Sequence, residues 1–384
     1  MRILITGGGT GGHFYPALAV ADLLRELDPQ GEILFVGTGD GLESQAAPAA
    51  GYAFRKINAG KWPRRVSWRA LSDFASLGKG YLQGIGVLRE FQPQAVFASG
   101  GYVSVPLGLA AASLRVPLFL HEQNSVPGMA NKLLSRWAKV TFTTFPHDKG
   151  TFPLRAKLVH SGLPVRKKIL QTDRVSGLKY FGLDPNLFTL LVTGGSRGAR
   201  RLNQVMLEAY QRLFLGNSSL VQLQVIHLTG AAEYRPLCQQ MDQMGINADK
   251  IGKIVIKPYL QEMEYALQAA DLVICRAGAA TLAEITALGL PGILIPYPFA
   301  TGDHQYHNAR YLERQGAAVL INEQELTPAR LLAEIERLTG NRESLQEMSR
   351  RSLRIGRPQA GELIAHTLLD VAKKSLCTSK SSKT

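Results

Sequence analysis

Two glycine-rich turns, half a chain apart, carry the clearest chemistry in this sequence. The first spans Gly7–His13 and reads GGGTGGH, and the second spans Gly194–Ala199 and reads GGSRGA. Each follows a short apolar run and precedes a helical pattern. A strand, a glycine turn and a helix start leave backbone N–H groups free at a positive helix end. Each turn is therefore predicted to bind a phosphate or another electron-rich group.

The first turn ends in a histidine that could act as a base. The glycine spacing satisfies the dinucleotide fingerprint, but the second strand ends without the ribose-binding acid of such sites, the nearest acid being Asp40. His13 instead follows the last glycine, where a neutral imidazole can accept a proton. From the sequence, a histidine that only caps or packs the start of the helix remains an alternative.

The second turn combines glycines with phosphate-binding side chains. Ser196 can donate a hydroxyl hydrogen bond, and Arg197, Arg200 and Arg201 add positive charge. A tight turn selected for close packing would explain the glycines but not the serine and arginines beside them. We therefore favour phosphate binding here.

Two further segments place polar residues after apolar strands. In Cys275–Glu284, Thr281 and Glu284 are three residues apart on a predicted helix, so the carboxylate could accept hydrogen bonds from a ribose diol. A capping-box pair is an equal alternative. In Asp303–Asn308, polar side chains could bind sugar hydroxyls, and helix capping by Asp303 explains that residue equally well.

Basic and aromatic residues are interleaved between Lys56 and Glu90, with seven Lys or Arg against two acids. Such a segment suits the interface of an anionic membrane. An ordinary amphipathic helix and a surface for single-stranded nucleic acid are the alternatives. The predicted membrane contacts are Trp62, Arg64, Arg65, Trp68, Arg69, Phe74, Leu77, Lys79 and Tyr81.

The elements that position these residues alternate between strand-like apolar runs and helix-length segments, which indicates parallel sheets covered by helices. We predict an α/β fold with two Rossmann-like, doubly wound domains facing a cleft, divided near Gly162-Leu163-Pro164. The predicted bounds are 1–163, 164–355, a final helix at 356–374 and a disordered tail at 375–384. The predicted strands are Ile3–Thr6, Ile33–Val36, Ala95–Ala98, Leu118–Leu120, Val140–Thr143, Lys157–His160, Phe188–Thr193, Gln224–Leu228, Lys253–Ile256, Leu272–Cys275, Gly292–Ile295 and Ala318–Ile321.

Composition favours a globular protein with anionic partners. Hydrophobic residues make up 45% of the chain and the net charge is +14. Three unclustered cysteines indicate neither a disulfide framework nor a zinc site, which favours a reducing cytoplasm. The longest apolar stretch, Tyr102–Leu114, is shorter than the roughly 20 residues of a membrane-spanning helix. We expect a protein that is soluble or lies on a membrane without crossing it.

The chain resembles the MurG family of bacterial cell-wall glycosyltransferases from Met1 to about Leu369. The resemblance rests on the two glycine turns, the segment Gly278–Glu284, HEQN at His121–Asn124 and DHQ at Asp303–Gln305. The resemblance implies GT-B architecture and transfer of N-acetylglucosamine from UDP-N-acetylglucosamine to lipid I, giving lipid II. It also implies a peripheral location on the cytoplasmic face of the inner membrane, no nucleic-acid partner, and a last helix that returns to the first domain. The acceptor would bind the first domain and the UDP-sugar mainly the second.

The resemblance further implies roles for single residues. Thr10, Gly11, Gly12 and Asn124 would approach the donor sugar and acceptor, and Arg166 and Ser196 would hold the diphosphate region. Leu260 would lie against the uracil, Gln305 would bind the sugar, and Glu284 the ribose. The nucleotide would also be surrounded by Ala279, Ala280, Thr281, Leu282 and Ala283. The chain departs from the family at Leu163, commonly Asn, and at Arg197, commonly Gln, and the second departure could alter diphosphate contacts.

The expected reaction is an inverting displacement in which His13 takes the proton of the acceptor's 4-hydroxyl. Loop N–H groups, Ser196 and arginines would stabilise the departing diphosphate. The chain contains no Asp-x-Asp, which argues against a catalytic metal, and no cofactor is expected. Two rivals are a non-hydrolysing UDP-sugar epimerase, which leaves the aromatic-basic segment unexplained, and a non-catalytic nucleotide- or membrane-binding module.

Overall fold

The computed structural model describes residues 1–8, 11–60, 68–148, 150–195, 198–215, 223–246 and 254–381, with the backbone alone for 68–74, 215 and 376–381. The chain divides into two compact units. Unit 1 comprises Met1–Val165 and Pro358–Thr384, and unit 2 comprises Arg166–Arg357. The division after Val165 lies two residues beyond the predicted one.

Unit 1 is built on a parallel sheet. Its described strands are β1 (Arg2–Thr6), β2 (Glu32–Gly37), β3 (Ala53–Lys56), β4 (Ala95–Ala98), β5 (Leu118–Glu122), β6 (Val140–Thr143) and β7 (Leu158–His160). They are arranged in the order β3-β2-β1-β4-β5-β6-β7, and every described pair is parallel. The helices in its first part are α1 (Gly11–Leu27), α2 (Glu43–Ala49), α3 (Trp68–Phe91), α4 (Ser104–Ser113) and α5 (Met129–Leu134).

Both faces of this sheet are apolar because helices cover both. Ile5 points to one face, where it joins a core with Phe14 of α1. Its neighbour Leu4 points to the other face, where it joins a core with Leu107 of α4. Successive strand residues therefore both need to be apolar, which is why these strands appear in the sequence as unbroken hydrophobic runs.

Unit 2 repeats this plan with a second parallel sheet. Its described strands are β8 (Phe188–Thr193), β9 (Leu223–Leu228), β10 (Ile254–Lys257), β11 (Leu272–Cys275), β12 (Gly292–Leu294) and β13 (Ala318–Leu320). Their order is β10-β9-β8-β11-β12-β13. Its helices are α6 (Lys167–Gln171), α7 (Arg174–Phe181), α8 (Arg200–Tyr210), α9 (Ala231–Gln243), α10 (Met263–Ala269), α11 (Ala279–Ala287), α12 (His304–Arg314), α13 (Pro328–Thr339) and α14 (Arg342–Ile355). A π-helical turn at Gln211–Leu215 and 3₁₀ turns at Thr301–Asp303 and Glu323–Glu325 complete the described elements.

The strand order reverses at one point in each sheet, between β1 and β4 in unit 1 and between β8 and β11 in unit 2. Open parallel sheets bind ligands outside the carboxyl ends of the strands at such a point. The glycine turns follow β1 and β8, so each lies at the switch point of its own sheet. The prediction of two Rossmann-like parallel-sheet domains is thus confirmed.

The last helix, α15 (Ala360–Ser381), belongs to unit 1 and packs against α1. Its Ile364 and Leu368 are buried in the core that also holds Phe14. The backbone of this helix is described as far as Ser381, and disorder of the tail at 375–384 stays a prediction. Residues 382–384 lie outside the described chain.

Candidate functional site

His13 lies in the first helical turn of α1, beside the carboxyl ends of two neighbouring strands of unit 1. Ser99 follows β4, and its N–H donates to the Thr6 carbonyl of β1 at 2.9 Å. The Ser99 hydroxyl donates to the His13 carbonyl at 2.8 Å. These bonds tie the start of α1 to the end of β4. Because His13 is inside the helix, it is not the N-cap residue, so the capping alternative is wrong, whereas a histidine that only packs the start of the helix stays an alternative.

The His13 ring is held by groups from two strand ends. Its Nδ1 lies 3.1 Å from the Ser99 carbonyl oxygen and 3.0 Å from Gln123 Oε1. The ring packs closely on Gly100, whose φ is +95° and where a Cβ would lie 3.3 Å from Nδ1. Nε2 has no hydrogen-bonding partner among the described residues. The ring is thus fixed by one nitrogen while the other is available for chemistry.

The HEQN segment, His121–Asn124, begins within β5 and makes buried hydrogen bonds that fix the chain beside His13. His121 is buried and its Nε2 lies 2.9 Å from the Gly162 carbonyl oxygen. Burial lowers the pKa of His121 to about 4, so the ring is neutral at physiological pH. The buried Glu122 carboxylate accepts from the Asn124 N–H at 3.0 Å and from Asn131 Nδ2 at 2.8 Å. These bonds set the turn that carries the half-buried Asn124.

Glu43 is a residue that the sequence analysis missed. Its side chain is 1% exposed, and Oε1 accepts from the Thr38 N–H at 3.1 Å and the Thr38 hydroxyl at 3.2 Å. A Cβ on Gly8, Gly37 or Gly41 would collide with it, so it lies directly against the first glycine turn. The signal for it was the glycine-rich turn after β2 that an acid follows immediately.

Part of each glycine turn lies outside the described residues, and this includes Thr10, Ser196 and Arg197. The described part of the second turn is closed by the Gly198 N–H, which donates to the Gly195 carbonyl at 2.9 Å. Arg201 does not contribute a free charge as expected. Its guanidinium donates to the Leu326 carbonyl at 2.9 Å and joins α8 to the chain before α13.

Glu284 and Arg166 form an ion pair in unit 2. Helix α11 begins with Gly278 as its N-cap, so Thr281 is not the capping residue and the capping-box alternative for Thr281 and Glu284 is wrong. Arg166 Nη2 lies 3.7 Å from Glu284 Oε1. Burial raises the pKa of Glu284 to about 7, Arg166 opposes that rise, and the charge of Glu264 adds to it.

The other residues predicted to surround the nucleotide lie on α11, except for Leu260, which precedes α10. The side chains of Ala279 and Leu282 are buried, and those of Ala280, Thr281 and Ala283 are half-buried. The Leu260 side chain is 4% exposed, so a ligand at this position would meet its backbone.

Gln305 lies in the first turn of α12, where its Oε1 accepts from the Tyr297 N–H at 3.0 Å. Its Nε2 amino group is thereby directed away from that contact as a donor. Asp303 precedes the helix as its N-cap residue, but its side chain makes no capping hydrogen bond and its φ is +54°. Capping therefore does not explain Asp303.

The predicted membrane contacts are only partly described. Trp62, Arg64 and Arg65 lie outside the described residues, and Trp68, Arg69 and Phe74 are described by backbone alone, within α3. Further along α3, Lys79 is exposed and Leu77 half-buried, whereas Tyr81 packs against the core and donates to the Ser113 hydroxyl at 2.9 Å. Tyr81 is therefore held by the fold rather than presented to a partner.

None of the described helices combines the length and apolar character that a bilayer-crossing segment requires.

Comparison with known proteins covers nearly the whole chain. Residues 3–143 match the glycosyltransferase family 28 N-terminal domain, and residues 189–364 match the glycosyltransferase family 28 C-terminal domain. A relative from Desulforamulus reducens is 44% identical over 94% of this chain and 96% of its own length. It is named UDP-N-acetylglucosamine–N-acetylmuramyl-(pentapeptide) pyrophosphoryl-undecaprenol N-acetylglucosamine transferase.

Among solved structures, MurG of Acinetobacter baumannii superimposes with a TM-score of 0.76 at 28% identity, covering 96% of this chain and 99% of that protein. A UDP-N-acetylglucosamine 2-epimerase homologue from Listeria monocytogenes superimposes with a TM-score of 0.68 at 15% identity, covering 94% of each chain. The second likeness shows the shared fold alone.

Proposed function

Because the chain belongs to glycosyltransferase family 28, we propose that it transfers N-acetylglucosamine from UDP-N-acetylglucosamine to lipid I, producing lipid II. The observation that carries this proposal is the 44% identity to a transferase of that name across 94% of the chain. Both domain types of the family are present in their order, and each sheet has its glycine turn at the switch point.

In the proposed reaction His13 acts as the general base. Its Nε2 takes the proton of the acceptor's 4-hydroxyl as that oxygen attacks the anomeric carbon of the donor sugar. A new C–O bond forms, the bond to the diphosphate oxygen breaks with its electron pair leaving on UDP, and the configuration inverts. The tethered Nδ1, together with an Nε2 that has no hydrogen-bonding partner among the described residues, supports this role. General-base assistance contributes about 10²–10⁴ in rate.

The donor is proposed to bind unit 2. Glu284 would accept hydrogen bonds from the ribose hydroxyls, Arg166 and Ser196 would bind the diphosphate, and Gln305 would donate to the sugar. The backbone near Leu260 would lie against the uracil, with Ala279, Ala280, Thr281, Leu282 and Ala283 around the nucleotide. Gly278 brings no side-chain cap to the start of α11, and the N–H groups of a first helical turn lack an acceptor within their own helix, which suits an anionic ligand.

The acceptor is proposed to bind unit 1, whose glycine turn would bring Thr10, Gly11 and Gly12 to the reacting groups together with Asn124. We propose that the same unit lies on the cytoplasmic face of an anionic membrane through α3. Exposed Lys79 and Leu82, the latter 68% exposed, support this surface, and the aromatic and basic residues before them extend it in sequence.

The test is incubation with labelled UDP-N-acetylglucosamine and a lipid I analogue. We expect label in the lipid product, and none without acceptor. Epimerised donor in the absence of acceptor would identify an epimerase instead, and binding with neither product would contradict an enzymatic role.

The base role has its own test in His13→Ala, which is expected to lower kcat by about 10²–10⁴. His366→Ala is the matched control, because this histidine is exposed on α15. Near-normal turnover of the His13 variant with saturating substrates would remove His13 from the base role.

A further inference from the structure

The buried side chain of Gln123 contacts Nδ1 of His13, the ring nitrogen that is hydrogen-bonded within the described part of the chain. Gln123 is 2% exposed and follows β5, while His13 is 110 residues earlier in the chain. Gln123 Oε1 lies 3.0 Å from His13 Nδ1, and the same nitrogen lies 3.1 Å from the Ser99 carbonyl oxygen. The contact therefore joins the ends of β4 and β5 to the first turn of α1.

The orientation of the Gln123 amide follows from its other contacts. Its Nε2 donates to the Ser99 carbonyl and, at 3.3 Å, to the His121 carbonyl. Both partners are backbone oxygens, which only accept hydrogen bonds. Reversing the amide would place Oε1 against two acceptors with no proton between them, so Oε1 must face His13.

The hydrogen-bond partners of Nδ1 then determine which nitrogen of the His13 ring carries the proton. Both atoms that Nδ1 approaches, Ser99 O and Gln123 Oε1, are acceptors. A neutral imidazole has one protonated and one unprotonated nitrogen. Since an unprotonated Nδ1 would meet two oxygens without a donor, the proton is on Nδ1 and the lone pair is on Nε2.

We propose that Gln123 is a positioning residue that holds His13 in the Nδ1–H tautomer and so directs the basic Nε2 toward the acceptor hydroxyl. This inference rests on the proposed function for the proton transfer itself, whereas the tautomer does not depend on it. Fixing a catalytic histidine through its second nitrogen is a general device, and loss of the correct tautomer can lower turnover severely.

The direct test is NMR of the full chain with ¹⁵N-labelled histidine rings, in which two-bond correlations distinguish protonated from unprotonated ring nitrogens. The His13 signals are assigned by their loss in His13→Asn. In the unaltered protein we expect a protonated Nδ1 and an unprotonated Nε2. A neutral His13 ring with its proton on Nε2 would overturn the proposal, whatever the kinetics show.

A second measurement uses Gln123→Leu, which removes the amide at similar volume. We expect the His13 signals to move toward a mixture of tautomers, because only Ser99 O still favours Nδ1–H, with kcat lowered about tenfold and the KM for UDP-N-acetylglucosamine within about twofold. Unchanged His13 signals and unchanged kcat would overturn the role of Gln123.

Gln224→Leu is the matched control. Gln224 is also a buried glutamine, 1% exposed, and it makes three hydrogen bonds, to Asp184 and Thr189 of unit 2. Its loss should reduce stability and leave the His13 signals unchanged. If His13 shows the expected tautomer but His13→Ala turns over normally, the base role fails while the tautomer assignment stands.

Discussion

Arg166 Nη2 lies 3.7 Å from Glu284 Oε1, so the residues proposed to bind the diphosphate and the ribose are paired with each other in this structure. The Arg166 guanidinium also donates to the Gln261 carbonyl at 3.4 Å. The Glu284 side chain is 17% exposed, and Arg166 only partly compensates the loss of its hydration. The pKa of Glu284 is therefore raised to about 7.

We predict that UDP-N-acetylglucosamine binding strengthens as pH rises from 6 to 8. An ionised carboxylate accepts ribose hydrogen bonds more strongly than a carboxylic acid, and a group with a pKa near 7 changes from mostly neutral to mostly ionised over this range. The expected gain is at most about tenfold in Kd. Isothermal titration calorimetry measures it, with UDP-N-acetylglucosamine chosen because its diphosphate loses no proton near neutral pH.

Glu284→Gln is the control for this effect. It should bind the donor more weakly and show little pH dependence between pH 6 and 8. A wild-type affinity that is constant over this range would contradict the ribose-binding role of an ionisable Glu284.

Glu43 is predicted to hold the first glycine turn in place. Glu43→Ala leaves the Thr38 N–H and hydroxyl without their acceptor and opens a space beside the turn. We expect a loss of about 1–3 kcal/mol in stability. We also expect a fall in kcat larger than any rise in the KM for the donor, because the turn precedes His13.

Steady-state kinetics and thermal unfolding check both effects, and Glu26→Ala, an exposed position on α1, is the control. Normal kcat in a destabilised Glu43 variant would limit this residue to a structural role.

The strands and glycine turns could be predicted from the sequence because they depend on local pattern. Apolar runs covered on both faces define nearly all the strands, but β3 (Ala53–Lys56) is mostly exposed and ends in two basic residues, so it lacks that signal. The ends of helices are harder to predict than their existence, because tertiary packing and not local pattern decides where a helix begins. Thr281 looks like a cap only when the helix is taken to begin there, whereas tertiary packing begins it after Gly278.

The positioning of His13 could not be predicted in the same way. Its partners Ser99 and Gln123 are 86 and 110 residues away, and they meet it only because β4 and β5 follow β1 in the sheet. Sequence patterns indicate which residues end each strand but not which side chains share a hydrogen bond. The tautomer of His13 therefore follows from the three-dimensional structure and not from the sequence pattern.

Unit 1 is predicted to lose stability as pH falls below 6.5, because of the buried His121. Its folded pKa is about 4, below the unfolded value of 6.5, so the unfolded chain binds the proton first. The stability contribution is complete above pH 6.5 and is lost progressively as pH falls toward 4. Between pH 6.5 and 5 the loss is about 2 kcal/mol, and His147, whose pKa burial also lowers to about 4, adds to it.

Urea unfolding followed by tryptophan fluorescence measures this loss, since all three tryptophans lie in unit 1. His121→Gln can still donate to the Gly162 carbonyl but does not titrate, so its stability should fall less steeply on acidification. The exposed His366→Gln variant should follow the wild-type curve. Equal slopes for wild type and His121→Gln would contradict the assignment.

The surface of α3 is predicted to bind anionic membranes through charge and apolar contact together. Lys79→Ala should weaken binding to phosphatidylglycerol vesicles about fivefold, since a basic residue near such a surface contributes about 1 kcal/mol. Leu82→Gln should weaken it by a similar factor and also lower binding to neutral vesicles, because this side chain would lie among the acyl chains. Vesicle co-sedimentation measures both losses of binding.

Val175→Ser is the matched control, because Val175 is 75% exposed on α7 of unit 2, and this variant should bind like wild type. Binding that does not depend on the anionic lipid, or an equal loss in the Val175 variant, would place the membrane contact elsewhere than α3.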